Sequence, residues 1–104
     1  MRHLLAIRNL SAEDLQAILA LSEGSYTSTL RNKGVALYFE KPSARTRNSM
    51  ELAAAQLGGH PVYLQPNELG IGERETVEDV TRTLGCYHAI IAARVFDCWS
   101  RWRR

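Results

Sequence analysis

A three-layer α/β sandwich built on a parallel sheet is the fold class that this 104-residue sequence predicts. Three observations lead there. The compact apolar run "VALYFE" has the Val and aromatic content of a buried strand, "PVYL" reads as a second short strand and "HAIIAARVF" as a third apolar one. Between them lie two segments whose apolar residues recur at helical spacing. The order strand, helix, strand, helix, strand then requires parallel strands joined by right-handed crossovers.

The first element precedes this alternation. In "LSAEDLQAILALSEG" Ser11 is placed to cap a helix, with Asp14 at its third position and Leu10 able to staple against Leu15. Leu15, Ile18 and Leu19 share one face, so a peripheral amphipathic helix is expected, stopping near Gly24. After the polar "SYTSTLRNK" and Gly34 comes the strand "VALYFE". Ser43 is expected to cap the next helix, on which Met50, Ala53, Ala54 and Leu57 face the sheet and which Gly58 and Gly59 end. "PVYL" follows as a short strand and "QPNELGIGERE" as a loop. Thr76 and Asp79 cap a helix carrying Val77, Val80 and Leu84, and "HAIIAARVF" is the third strand, with Arg94 at its exit. An incomplete parallel sheet of this kind leaves an edge unpaired, which predicts self-association.

Composition narrows the function classes. A hydrophobic content of 45% and a charged content of 23% are ordinary for a globular domain and favour neither disorder nor a membrane protein. The formal net charge is +2, but Arg101, Arg103 and Arg104 crowd the end. Residues 1–97 hold ten Lys and Arg against eleven Asp and Glu, a net of −1, so the body of the domain carries no electrostatic footprint for nucleic acid. Cys86 and Cys98 are too few for a disulfide framework, and no paired metal-ligand motif occurs. "MRHLLAIRNL" lacks the cleavage pattern of a signal peptide, and no apolar run approaches membrane-spanning length; a cytoplasmic protein with no membrane partner is expected. His3, His60 and His88 require no more than surface or packing roles.

Ligands of open α/β sheets sit at the carboxyl ends of the strands, and "FEKPSARTR" (residues 39–47) and Arg94 both fall there. A helix starting at Ala44 points its free backbone N–H groups and the positive end of its dipole toward the sheet mouth. Arg45 can offer a planar fork to phosphate oxygens, with Ser43 and Thr46 adding short hydroxyl bonds. Arg94, arriving from another strand, can close the site. The competing structural reading has these arginines solvated or paired with glutamates such as Glu40 and Glu51, and it fits Arg47 best, since Glu51 lies one turn away.

The stretch "FEKPSARTRNSMELAAAQLGGHPVYL" resembles the carbamoyl phosphate signature of ornithine carbamoyltransferases, and "GERETVEDVTRTLGCYHAIIAARVF" is similar to that family's next stretch. The resemblance implies an incomplete carbamoyl phosphate-binding domain over residues 1–97. It further implies that Ser43, the Ala44 amide, Arg45, Thr46 and Arg94 bind carbamoyl phosphate, with Arg94 and Thr46 in the catalytic role. The implied reaction is transfer of the carbamoyl group to ornithine, giving citrulline and phosphate, as in arginine biosynthesis. No metal or organic cofactor is implied. Full-length members form homotrimers, and in them the loop at residues 73–76 approaches the neighbouring subunit's site. Lys41 and "GERET" favour ornithine over aspartate as the acceptor.

Ala44 stands where the family usually has threonine, which removes a hydroxyl and keeps the amide. The resemblance ends near Asp97, at about a third of the family's length. Residues 98–104, "CWSRWRR", form a non-family tail, read as a shifted reading frame or a truncated gene. The ornithine-binding part lies outside this sequence, so the chain is expected to be inactive alone. Two other readings stand beside this one: a noncatalytic module that holds carbamoyl phosphate, and an interaction protein that uses the aromatic and basic tail.

Overall fold

Six consecutive residues able to bury both faces, Gly34–Phe39, form the central strand, β1. Val35 to Phe39 are all at most 5% exposed, as a strand covered on both sides must be. The computed structural model describes residues 3–25, 27–71 and 74–96. Within them the elements are a 3-10 turn (Ile7–Asn9), α1 (Ala12–Ser22), β1, α2 (Ala44–Gln56), β2 (His60–Leu64), α3 (Pro66–Leu69), α4 (Val77–Tyr87) and β3 (His88–Arg94). The expected boundary at Asp97 and the tail beyond it lie outside the described residues.

The sheet is parallel throughout, in the order β2-β1-β3. The chain runs from β1 to β2 through α2, then crosses back over β1 to reach β3 through α4. Right-handed connections in opposite directions place α2 and α4 on opposite faces, which makes the three layers. The reversal also opens a crevice between the carboxyl ends of β1 and β3. Alternation along β1 sends Val35, Leu37 and Phe39 toward α2, where they form one cluster with Ala54 and Leu30, flanked by Met50, Leu57 and Tyr63. Each such side chain contributes about 1.5–3 kcal/mol on burial. Val80 and Leu84 are the buried residues of α4. The outer edges of β2 and β3 have no partner strand among the described residues.

The helix ends follow local chemistry. Ser11 Oγ accepts from the Asp14 N–H at 3.0 Å while the Ser11 N–H donates to the Asp14 carboxylate at 3.3 Å. Thr76 Oγ1 accepts from the Asp79 N–H at 3.2 Å at the start of α4. Gly58, at φ +87°, ends α2 in the left-handed conformation that glycine adopts without strain.

Three expectations need correction. The stretch 65–75 is not all loop: Pro66 opens the short helix α3, and the Gln65 N–H donates to the Glu68 carboxylate at 3.3 Å, closing its first turn. Ala53 is exposed; the buried stripe of α2 runs through Met50, Ala54 and Leu57, with Ala53 beside it. The apolar face of α1 exists but is uncovered, for Leu15, Ile18 and Leu19 are 43%, 47% and 56% exposed and α1 buries no residue.

Gly34 has a specific steric reason. The imidazole of His88, its partner across the β1–β3 pairing, occupies the space that a Cβ would take, and the register slips by one residue just beyond. The backbone carbonyl of Tyr87 also lies 3.2 Å from that Cβ position, so a Cβ would crowd backbone as well as the ring. Gly34→Ala is therefore expected to destabilise the domain by about 1–3 kcal/mol, read as a lowered urea midpoint, with Gly85→Ala, where a Cβ meets open space, as the control.

Candidate functional site

The crevice between β1 and β3 is floored by the turn that leads from Phe39 into α2. The chain bends at Glu40 and Lys41, just after β1, and Pro42, with its fixed φ, leads into Ser43. Ser43 is extended (φ −156°, ψ 108°), the conformation of a helix N-cap. Its Oγ accepts from the Thr46 N–H at 3.4 Å and donates to Thr46 Oγ1 at 3.0 Å. From across the crevice, Arg94 at the end of β3 donates through a terminal guanidinium nitrogen to the same Thr46 Oγ1 at 3.2 Å.

This arrangement sets the polarity of Thr46. A hydroxyl oxygen has two lone pairs, and here both meet donors, one from Ser43 and one from Arg94. Its own proton is left to donate outward. Among the four leading N–H groups of α2, that of Thr46 is taken by Ser43 Oγ and that of Arg47 by the Ser43 carbonyl at 2.9 Å. Those of Ala44 and Arg45 have no acceptor among the described residues, as the first turn of a helix leaves them. The Arg45 guanidinium is exposed and likewise has no partner among the described residues. The first turn of α2 holds no acidic residue, whereas α1 and α4 carry Glu13 with Asp14 and Glu78 with Asp79 there. The free N–H groups of Ala44 and Arg45 and the Thr46–Arg94 contact thus gather donors at a helix end whose own first turn carries no carboxylate.

The remaining arginine of the motif is committed elsewhere. The Arg47 guanidinium pairs with Glu51 at 2.8 Å and lies 3.7 Å from the Tyr63 ring centre, against β2 and away from Arg94. Sequence reasoning brought Ser43, Thr46 and Arg94 to one place and the structure does the same. It missed the part played by Glu40, whose carboxylate accepts from the Phe96 N–H at 3.1 Å and from the Tyr38 hydroxyl at 3.3 Å. Only the period of β1 could have hinted at this, by pointing Tyr38 and Glu40 to the same side. Glu73 of the 73–76 loop lies outside the described residues, while Thr76 caps α4. Among the described residues no cluster of three metal-ligating side chains occurs, and no helix is long and apolar enough to cross a membrane.

Known proteins share both sequence and fold with this chain. Residues 2–103 match the family described as aspartate/ornithine carbamoyltransferase, carbamoyl-P binding domain. The ornithine carbamoyltransferase of Thermus thermophilus is 45% identical over 100 residues, covering 91% of this chain and 33% of that protein. The solved structure of ornithine carbamoyltransferase from Pyrococcus furiosus superposes with a TM-score of 0.82 at 38% identity, over 92% of this chain and 33% of that one. A mutant N-acetyl-L-ornithine transcarbamylase, solved with carbamyl phosphate, gives a TM-score of 0.82 at 36% identity over 92% of this chain and 34% of that one. The chain therefore spans about a third of the length of these relatives. With residues 2–103 matching the family's carbamoyl-P binding domain and the fold of its members reproduced around the β1–β3 crevice, this chain belongs to the aspartate/ornithine carbamoyltransferase family.

Proposed function

We propose that the chain binds carbamoyl phosphate at the N-terminus of α2 and represents the carbamoyl phosphate half of an ornithine carbamoyltransferase. The observation that carries this is the Arg94–Thr46 hydrogen bond across the crevice, beside the unpartnered N–H groups of Ala44 and Arg45. A phosphate placed there receives the Ala44 and Arg45 amides and the Arg45 fork, and the Ser43 hydroxyl once its proton turns from Thr46 to the ligand. The carbamoyl oxygen faces Arg94 and the outward proton of Thr46.

The reaction follows from that placement. The side-chain amine of ornithine attacks the carbamoyl carbon, forming the new C–N bond; negative charge gathers on the carbonyl oxygen, and the C–O bond to phosphate breaks. Arg94 and Thr46 stabilise the oxygen as it gains charge, and Arg45 with the helix N-terminus stabilises the departing phosphate. Proton loss from the attacking nitrogen completes citrulline. These steps use no metal or organic cofactor. Lys41 and the "GERET" loop favour ornithine over aspartate, and the ornithine-contacting part, the trimeric assembly, the cytoplasmic setting and the place in arginine biosynthesis are inferred for the longer protein on the pattern of the family. The 104-residue chain alone is expected to bind carbamoyl phosphate without turning it over.

A pair of assays tests this. Calorimetric titration with carbamoyl phosphate is expected to show saturable binding with one site per chain, and a citrulline assay with added ornithine is expected to stay at background. Saturable binding without citrulline supports the reading; clear turnover overturns the expected inactivity, and absence of binding overturns the site.

A further inference from the structure

Arg94 is exposed, so no packing fixes the aim of its guanidinium. It also ends an edge strand, since its pairing with Phe39 is the last of the β1–β3 ladder. What steadies it is the segment just after β1. The Arg94 carbonyl accepts from the Glu40 N–H at 2.8 Å and from the Lys41 N–H at 3.4 Å. Two residues on, the Phe96 N–H donates to Glu40 Oε1 at 3.1 Å, while the Tyr38 hydroxyl donates to Oε2 at 3.3 Å. Phe96 is 71% exposed and rests under the Lys41 ammonium, 5.0 Å from its ring centre, so Glu40 and Lys41 rather than a packed core hold it in place. Tyr38, at 1% exposure, supplies a rigid anchor for the other end of the carboxylate.

We propose that Glu40 is a positioning residue for the anion site: by clasping the Phe96 N–H it fixes the backbone leaving β3, and through that backbone the aim of Arg94 at Thr46. This deepens the carbamoyl phosphate reading and rests on it. The same few residues, 40–46, thereby set both the helix N-terminus and the direction from which Arg94 reaches it. A phosphate seated on α2 then meets a guanidinium already in place, and its binding need not pay for ordering the strand end.

The sign of one substitution separates this role from plain electrostatics. Glu40 carries negative charge near a site for an anion, so by Coulomb's law alone its removal strengthens phosphate binding. Positioning predicts the reverse. Carbamoyl phosphate is titrated calorimetrically into the 104-residue chain and its Glu40→Ala and Glu40→Gln variants, and exchange of the Phe96 amide hydrogen is followed in each. Glu40→Ala is expected to weaken binding about tenfold and to speed Phe96 exchange by a similar factor, whereas Glu40→Gln, which keeps an acceptor oxygen, stays within about twofold of the parent. Should Glu40→Ala fail to fold, Phe96→Pro removes the same hydrogen bond from its donor end and is expected to weaken binding by a comparable factor. Parent-like or tighter binding by Glu40→Ala, or by Phe96→Pro in its place, overturns the positioning role alone. Absence of binding by the parent chain overturns the carbamoyl phosphate reading and this role with it.

Discussion

Arg45→Ala is expected to weaken carbamoyl phosphate binding by roughly 30- to 150-fold, the range that loss of about 2–3 kcal/mol of charge-assisted hydrogen bonding produces. The reason lies in what Arg45 does not do in the unliganded fold. Its guanidinium has no protein partner among the described residues, so the substitution breaks no ion pair and leaves the Ser43–Thr46 cap intact. Thermal unfolding of the variant should therefore match that of the parent while the calorimetric titration loses most of its heat. Arg47→Ala makes the contrasting case: it removes the pairing with Glu51 and the stacking on Tyr63, so its effect should appear in stability by about 1 kcal/mol, with affinity nearly unchanged. Equal losses of affinity in both variants would mean that the two arginines act as an undifferentiated basic patch.

Leu37→Ala is expected to be the most damaging core substitution, costing about 2–5 kcal/mol in urea denaturation. Leu37 is 0% exposed at the middle of the central strand, with β2 and β3 on either side and α2 above, so no neighbour can close the cavity without moving a strand. A domain of this size has a total stability on the order of 5–15 kcal/mol, so the variant would sit close to unfolding. Leu52→Ala, at a leucine 58% exposed on α2, should change the midpoint by no more than about 0.5 kcal/mol. A small effect at Leu37 would show that β1 is not the hub of the core.

The legibility of this fold varied with the kind of signal. Caps were plain, because Ser11 with Asp14 and Thr76 with Asp79 act through bonds only three residues long. β1 was plain because a strand buried on both faces must be apolar at every position. The helix α3 was hidden, since four residues are too few to display a period and Pro66 reads equally well as a turn. Periodicity correctly identified the apolar face of α1, but a period says which face is apolar and nothing about what lies on it. At the site, the meeting of Thr46 and Arg94 across 48 residues of chain was accessible only through topology: parallel strands and a reversal at β1 force their carboxyl ends together. The Glu40–Phe96 contact, 56 residues apart, had no such rule behind it, because it depends on the path of the chain after its last ladder pairing.

The central claim is that the N-terminus of α2 seats the phosphate and Arg94 closes over it. The most direct measurement is the change in amide and guanidinium NMR signals on titrating carbamoyl phosphate into the 104-residue chain. The account predicts large, saturable shifts at the Ala44, Arg45 and Thr46 amides and at the Arg94 guanidinium, with the amides of α1 unmoved. Saturable shifts centred elsewhere, or none at the Ala44 and Arg45 amides at saturating ligand, would contradict it.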